Sequence, residues 1–186
     1  MKWLNHQITT GFIVYAATND ALAVAASIAG AVLPDRVEGS PPQESKAYWK
    51  WRKSHRTWSH YPPLYFLLLA VAQGCKIYFQ TPIAEINCNI VSYILIGALL
   101  HIVEDGICGK VPILSTKKKH GLKLFKVGSA GEYFCSFLIV TACVAFSFRE
   151  ILNLEINLNS LTLPEQTFNI KEIGEKIKNI FAAINF

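Results

Sequence analysis

Four apolar stretches, at residues 8–33, 64–79, 90–103 and 133–148, restrict what this chain can fold into more than any other feature. With their aromatic flanks, the last three approach the roughly 17–25 apolar residues that a helix needs to cross a bilayer. Pro62-Pro63 opens the second stretch, a placement that suits the first turn of a helix, where a missing N–H removes no hydrogen bond. The composition agrees. Hydrophobic residues make up 52% of the chain and charged residues 17%, against about 25% charged in ordinary soluble domains, and the mean hydropathy is +0.29. The expected fold is all-α, a multi-pass transmembrane helical bundle. A soluble helical protein whose apolar stretches are core helices is the competing expectation.

The first stretch differs from the others because Asn19-Asp20 divides it. Each half is about 11–13 residues, roughly 16–20 Å as helix, against a hydrocarbon core of about 30 Å. A re-entrant hairpin turning at Asn19-Asp20 would return both ends to one face, and a single kinked span is the alternative. The same break argues against a cleaved signal peptide. Lys46, Lys50, Arg52, Lys53 and Arg56 precede the second stretch, and Lys110, Lys117, Lys118, Lys119, Lys123 and Lys126 follow the third. The connection expected at residues 80–89 carries no Lys or Arg. This asymmetry places both basic loops of a multi-pass membrane protein in the cytoplasm. A net charge of +5 suits an anionic membrane surface or a phosphate-bearing substrate.

Two parts are expected, a membrane-embedded helical domain at residues 1–148 and an extension at 149–186. In the extension, Ile170, Ile173, Ile177, Ile180, Phe181 and Ile184 recur at helical spacing among Lys and Glu, the pattern of an amphipathic helix. The five cysteines form no CxxC pair, and most lie in or beside apolar runs, so they read as small buried hydrophobes.

The residues that carry chemistry stand at the edges of the apolar stretches. His6 precedes the first and Asp35 follows it, His55 and His60 precede the second, His101 and Asp105 close the third, and Glu132 opens the fourth. His101 and Asp105 are four apart and share one helix face. His55 and His60 are five apart, about 140° around an ideal helix, so the chain must bend between them or they must ligate from different directions. The expected topology gathers all seven on the cytoplasmic face, and the hairpin reading is what brings His6 there. A lone His or Asp at a helix end is usually a cap or a solvated group. Convergence is what lifts these, since ionisable groups at membrane depth are costly and usually functional. Glu38 and Glu104 read as ordinary surface acids, and His120 as part of a solvated basic face.

Four histidines and three carboxylates form an N/O ligand set for a divalent metal, most suited to zinc, with manganese or iron as alternatives, and with donors enough for one or two ions. Such ions would activate water for hydrolysis.

At these positions the chain resembles the membrane-bound, metal-dependent hydrolases of the LexA-regulated inner-membrane type. The resemblance covers roughly residues 1–148. It rests on His6, Leu33-Pro34-Asp35, the His55-to-His60 element, Gly97 with His101 and Asp105, and Gly128-Ser129 with Glu132. It implies metal ligation by His6, Asp35, His55, His60, His101, Asp105 and Glu132. Arg56 is implied as a contact to substrate or to the ligands. One departure stands out: the family reads Pro-Asp-x-Asp, and here the second Asp is Val37, with Glu38 one residue away.

The expected activity is metal-dependent hydrolysis of a phosphoester or lipid-like substrate, with Asp105 or Glu132 as ligand or general base. A non-catalytic metal-binding membrane protein is the alternative. The expected partners are membrane lipids and a small-molecule or lipid-like substrate that carries phosphate. No stable nucleic-acid complex is expected, because the Lys117-Lys118-Lys119 run is short and lacks interleaved aromatics.

Overall fold

Prolines or polar caps mark the starts of four of the seven described α-helices, those that begin at Ala21, Leu33, Pro62 and Pro82. The computed structural model describes residues 1–148, 74% of them helical. Its α-helices are α1 (Trp3–Thr18), α2 (Ala21–Gly30), α3 (Leu33–Glu38), α4 (Ser45–Ser54), α5 (Pro62–Phe79), α6 (Pro82–Cys108) and α7 (Ala130–Phe148). A 3-10 turn covers Trp58–His60, and a small antiparallel hairpin pairs β1 (Val111–Ser115) with β2 (Lys118–His120). The amphipathic helix expected near the C-terminus lies outside the described residues.

α1 and α2 fold back on one another at Asn19-Asp20, where the sequence places a break. Asn19 takes the left-handed conformation (φ 50°), and its N–H closes α1 by donating to the Tyr15 carbonyl. Asp20 then caps α2, its carboxylate accepting from the backbone N–H of Leu22 (2.8 Å) and Ala23 (3.4 Å). α2 next crosses α6 with the two backbones in contact. A Cβ at Gly30 would collide with the Ile94 carbonyl, and one at Gly97 with the Ser27 carbonyl. Small residues are what let two helices approach so closely in an apolar medium.

Two expectations change. The second connection is the pair Gln80-Thr81, not residues 80–89, because Thr81 caps Ala84 (3.2 Å) and Pro82 starts α6. The all-α expectation also gives way over Val111–His120, where β-branched residues flank Pro112, which cannot continue a helix.

Three helical stretches are long and apolar enough to cross a membrane: Ser45–Phe79, Pro82–Cys108 and Ala130–Phe148. Only 11% of the apolar window in the first and the last is buried against protein, so most of that surface needs another apolar partner. Phe66, Leu67, Phe134, Phe137 and Leu138 all point outward. The interior is correspondingly polar. Its fully buried side chains include His6, Thr9, His60, His101, Asp105 and Glu132. The apolar core of Tyr65, Leu95, Ala98, Ile102 and Val111 is small and packs between α5, α6 and β1.

Candidate metal centre

Each segment delivers its polar residue to the same end of the bundle. α6 has 27 residues and so runs about 40 Å, longer than a hydrocarbon core of about 30 Å. His101 and Asp105 sit on its last turns and face inward. α3 follows the α2–α6 crossing and supplies Asp35. Between His55 and His60 the chain bends at Arg56, which adopts φ +54°, and the 3-10 turn then presents His60. A left-handed backbone is uncommon for a side chain as long as arginine's.

Four of the expected ligands converge. One donor atom from each of Asp35, His60, His101 and Asp105 lies within 4.8 Å of the others, a cluster that could hold a metal ion. The two imidazole Nε2 atoms are 3.3 Å apart. Asp105 Oδ2 lies 3.4 Å from each of them, and Asp35 Oδ1 lies 3.3 Å from His60 Nε2 and 3.7 Å from His101 Nε2.

Hydrogen bonding orients this cluster. His101 Nδ1 donates to the Ala31 carbonyl at 2.6 Å, so in the neutral ring the lone pair lies on Nε2, which faces the centre. His60 Nδ1 is engaged by Ser59 Oγ at 2.9 Å, so its Nε2 also turns inward. Asp105 divides its carboxylate. Oδ1 accepts from the Met1 ammonium (2.7 Å) and from Arg56 Nη2 (2.8 Å), whereas Oδ2 is buried without a hydrogen-bond partner. A buried acceptor without a donor, as Asp105 Oδ2 is, is costly, and a cation at the centre of the four removes the cost. The residues present therefore fit a metal. The other Asp35 oxygen, Oδ2, accepts from Trp3 Nε1 at 2.8 Å.

The other expected residues have different surroundings. His6 stacks on His101 with centroids 4.0 Å apart. Its Nδ1 bonds Glu104, and its Nε2 lies 3.5 Å from Asp105 Oδ1, buried and unpartnered. His55 stands beyond the four, its Nδ1 3.0 Å from Glu38 Oε1. Glu132 is fully buried but outside the cluster. Its carboxylate accepts from Lys2 N (2.7 Å), Gly128 N (2.5 Å) and the Asn5 amide, which ties α7 to the start of α1.

Two acids read from the sequence as surface groups belong to this end of the interior. Glu104 bonds His6 and accepts from Thr9 Oγ1 at 2.6 Å. Glu38 accepts from Arg56 N (3.0 Å) and Ser59 Oγ (3.3 Å), so it braces the turn that presents His60. Burial would raise the Glu38 carboxyl, and His55, His60 and the Arg56 N–H together bring it below its ordinary value. The signal for Glu104 is present in the sequence: Gly97, His101, Glu104 and Asp105 recur at i, i+4, i+7 and i+8, a single helix face. Glu38 has no such periodic signal.

No family model matches this chain, and no curated protein or solved structure matches it either.

Proposed function

We propose that this is a membrane-embedded, metal-dependent hydrolase of the type its motifs resemble, acting on a phosphoester or lipid-like substrate at the cytoplasmic face of the inner membrane. The convergence of one potential ligand atom from each of four residues, with Asp105 Oδ2 among them buried and unpartnered, carries this reading. Asp35, His60, His101 and Asp105 hold the ion. The N···N and N···O separations of 3.3–3.7 Å are close to the edge of about 3.3–3.4 Å of a tetrahedron with bonds of about 2.0–2.1 Å, which supports zinc. When bound, such an ion supplies a Lewis acid and a water of lowered pKa.

The chain's own groups do the rest. Arg56 is steered by Asp105, and its buried Nε has no partner, so the guanidinium edge is free to take an anionic oxygen of the substrate. His6 Nε2 is the nearest unpartnered group to receive the proton that an attacking water loses. Hydrolysis forms a bond from the water oxygen to phosphorus and breaks the bond to the leaving oxygen, which takes up a proton. The membrane placement rests on helix lengths and on charge. α1 and α2 have 16 and 10 residues, about 24 and 15 Å, too short to span, which supports a re-entrant hairpin. The basic residues of α4 and of the β1–β2 segment flank the cluster end, which supports a cytoplasmic site.

One observation favours a second reading, a non-catalytic metal-binding protein. Four protein ligands fill a tetrahedron, as structural zinc sites do, and Val37 adds no further carboxylate. Detergent-purified protein separates the two. Elemental analysis, with turnover of a phosphoester and lipid panel under zinc or manganese, is expected to give bound metal and hydrolysis that His60→Ala and Asp105→Asn abolish. Stoichiometric metal with no turnover, and unfolding on chelation, would replace the hydrolase by the structural reading.

A further inference from the structure

A groove between α1 and α2 serves neither the cluster nor the packing of the bundle. It encloses about 410 Å³ and is lined by Ile8, Gly11, Phe12, Tyr15, Val24 and Ile28. That volume falls within the roughly 300–1,000 Å³ of ordinary ligand sites. The groove depends on the missing side chain at residue 11, where even a Cβ would stand 3.1 Å from Ile28 Cδ1. Its walls are apolar except at one end, where Gln7 contributes an amide.

That end points toward the cluster. Trp3 is one turn before Gln7 on the same face of α1. Its Nε1 donates to Asp35 Oδ2, and the exposed Arg36 guanidinium stacks over its ring at 4.7 Å. Asp35 is also the one member of the four-residue cluster that is not fully buried, so the cluster is reached from this side. Along α1, the apolar groove is thus followed one turn further on by Trp3, with Arg36 stacked on it and Asp35 bonded to it.

We infer that this groove holds one acyl chain of an anionic phospholipid, with the phosphate headgroup beside Arg36 at the Asp35 edge of the cluster. The inference rests on the hydrolase reading for its catalytic meaning, but lipid binding is measurable without turnover. With a phosphomonoester lipid such as phosphatidic acid, the phosphorus–oxygen bond to glycerol would break. Water would supply the new oxygen on phosphate, and diacylglycerol would leave with the proton.

The test uses the full chain in phosphatidylcholine nanodiscs doped with phosphatidic acid that carries a diazirine in one acyl chain. Photolysis is expected to label peptides from residues 3–30 above all others. Excess unlabelled phosphatidic acid should cut that labelling by more than half, and added phosphatidylcholine should not. Gly11→Phe, which fills the groove, should lower it at least fivefold with metal content retained, and Arg36→Glu should weaken competition by phosphatidic acid. If Gly11→Phe does not fold, Ile8→Trp at the exposed rim gives the same measurement. Labelling spread evenly over α5, α6 and α7, or competed equally by phosphatidylcholine, overturns the groove even if the protein proves to be a hydrolase. Groove labelling without any hydrolysis supports the lipid site and removes the hydrolase reading instead.

Discussion

Asp105 gives its two oxygens separate tasks: one is held by Arg56 and the Met1 ammonium, and the other is left for the cluster. Asp105→Asn preserves the shape but turns one acceptor into a donor. The expected outcome is a loss of metal affinity larger than the roughly 10–100-fold of an outer-layer change, read by chelator competition. Glu38→Gln is such an outer-layer change, because Glu38 braces the turn bearing His60, and it should fall within that range. Glu38 also makes a pH prediction. Its carboxyl is lower in the folded chain than the free value of about 4.3, so it stabilises the fold above that pH. The contribution is lost as pH falls through the lower, folded value. Thermal unfolding between about pH 5 and pH 3 should therefore decline more steeply in the wild type than in Glu38→Gln. At this scale the sequence reveals donors but not their partners. His60, His101, Asp35 and Asp105 are legible from their positions at segment ends. Glu38 is not, because nothing in an isolated acidic residue says which turn will fold over it.

The α2–α6 crossing is the element on which the cluster depends, since the Ala31 carbonyl that orients His101 follows directly after it. Gly30→Val or Gly97→Val would force the helices apart. Destabilisation of about 1–3 kcal/mol or more is expected, with loss of metal in the same preparation, measured by thermal unfolding in detergent and elemental analysis. Asp20→Ala removes only a cap at the far end of α2. It should cost about 1 kcal/mol and leave metal content unchanged. The apolar helices are legible, because prolines and apolar runs mark them, but α4 is not, since its Lys and Arg read as a basic loop. The start of α6 is not, since Glu85, Asn87 and Asn89 read as a polar loop until Thr81 and Pro82 are recognised as cap and first turn. The β1–β2 hairpin is equally silent, because strands of five and three residues carry too little periodicity to separate from a turn.

Among the described residues, many large apolar side chains face outward, while His6, His60, His101, Glu104, Asp105 and Glu132 are buried toward one pole. If that pole is cytoplasmic, the Gln80-Thr81 turn lies on the opposite side. In a cysteine-free background, Gln80→Cys should react with a membrane-impermeant maleimide from outside the cell, and Lys118→Cys only after permeabilisation. The reverse pattern would invert the proposed orientation. This arrangement is legible from segment lengths and basic residues together, although neither is sufficient alone.

The four donors of the cluster lie on three pieces of chain separated by long intervals, at Asp35, at His60, and at His101 with Asp105. During synthesis the first two pieces are made well before the third. Asp35 and His60 must therefore wait, without their partners, until the end of α6 has left the ribosome and entered the bundle. If the cluster holds a metal, its loading is a late event in biogenesis, and a nascent chain arrested before His101 would lack half of the donors.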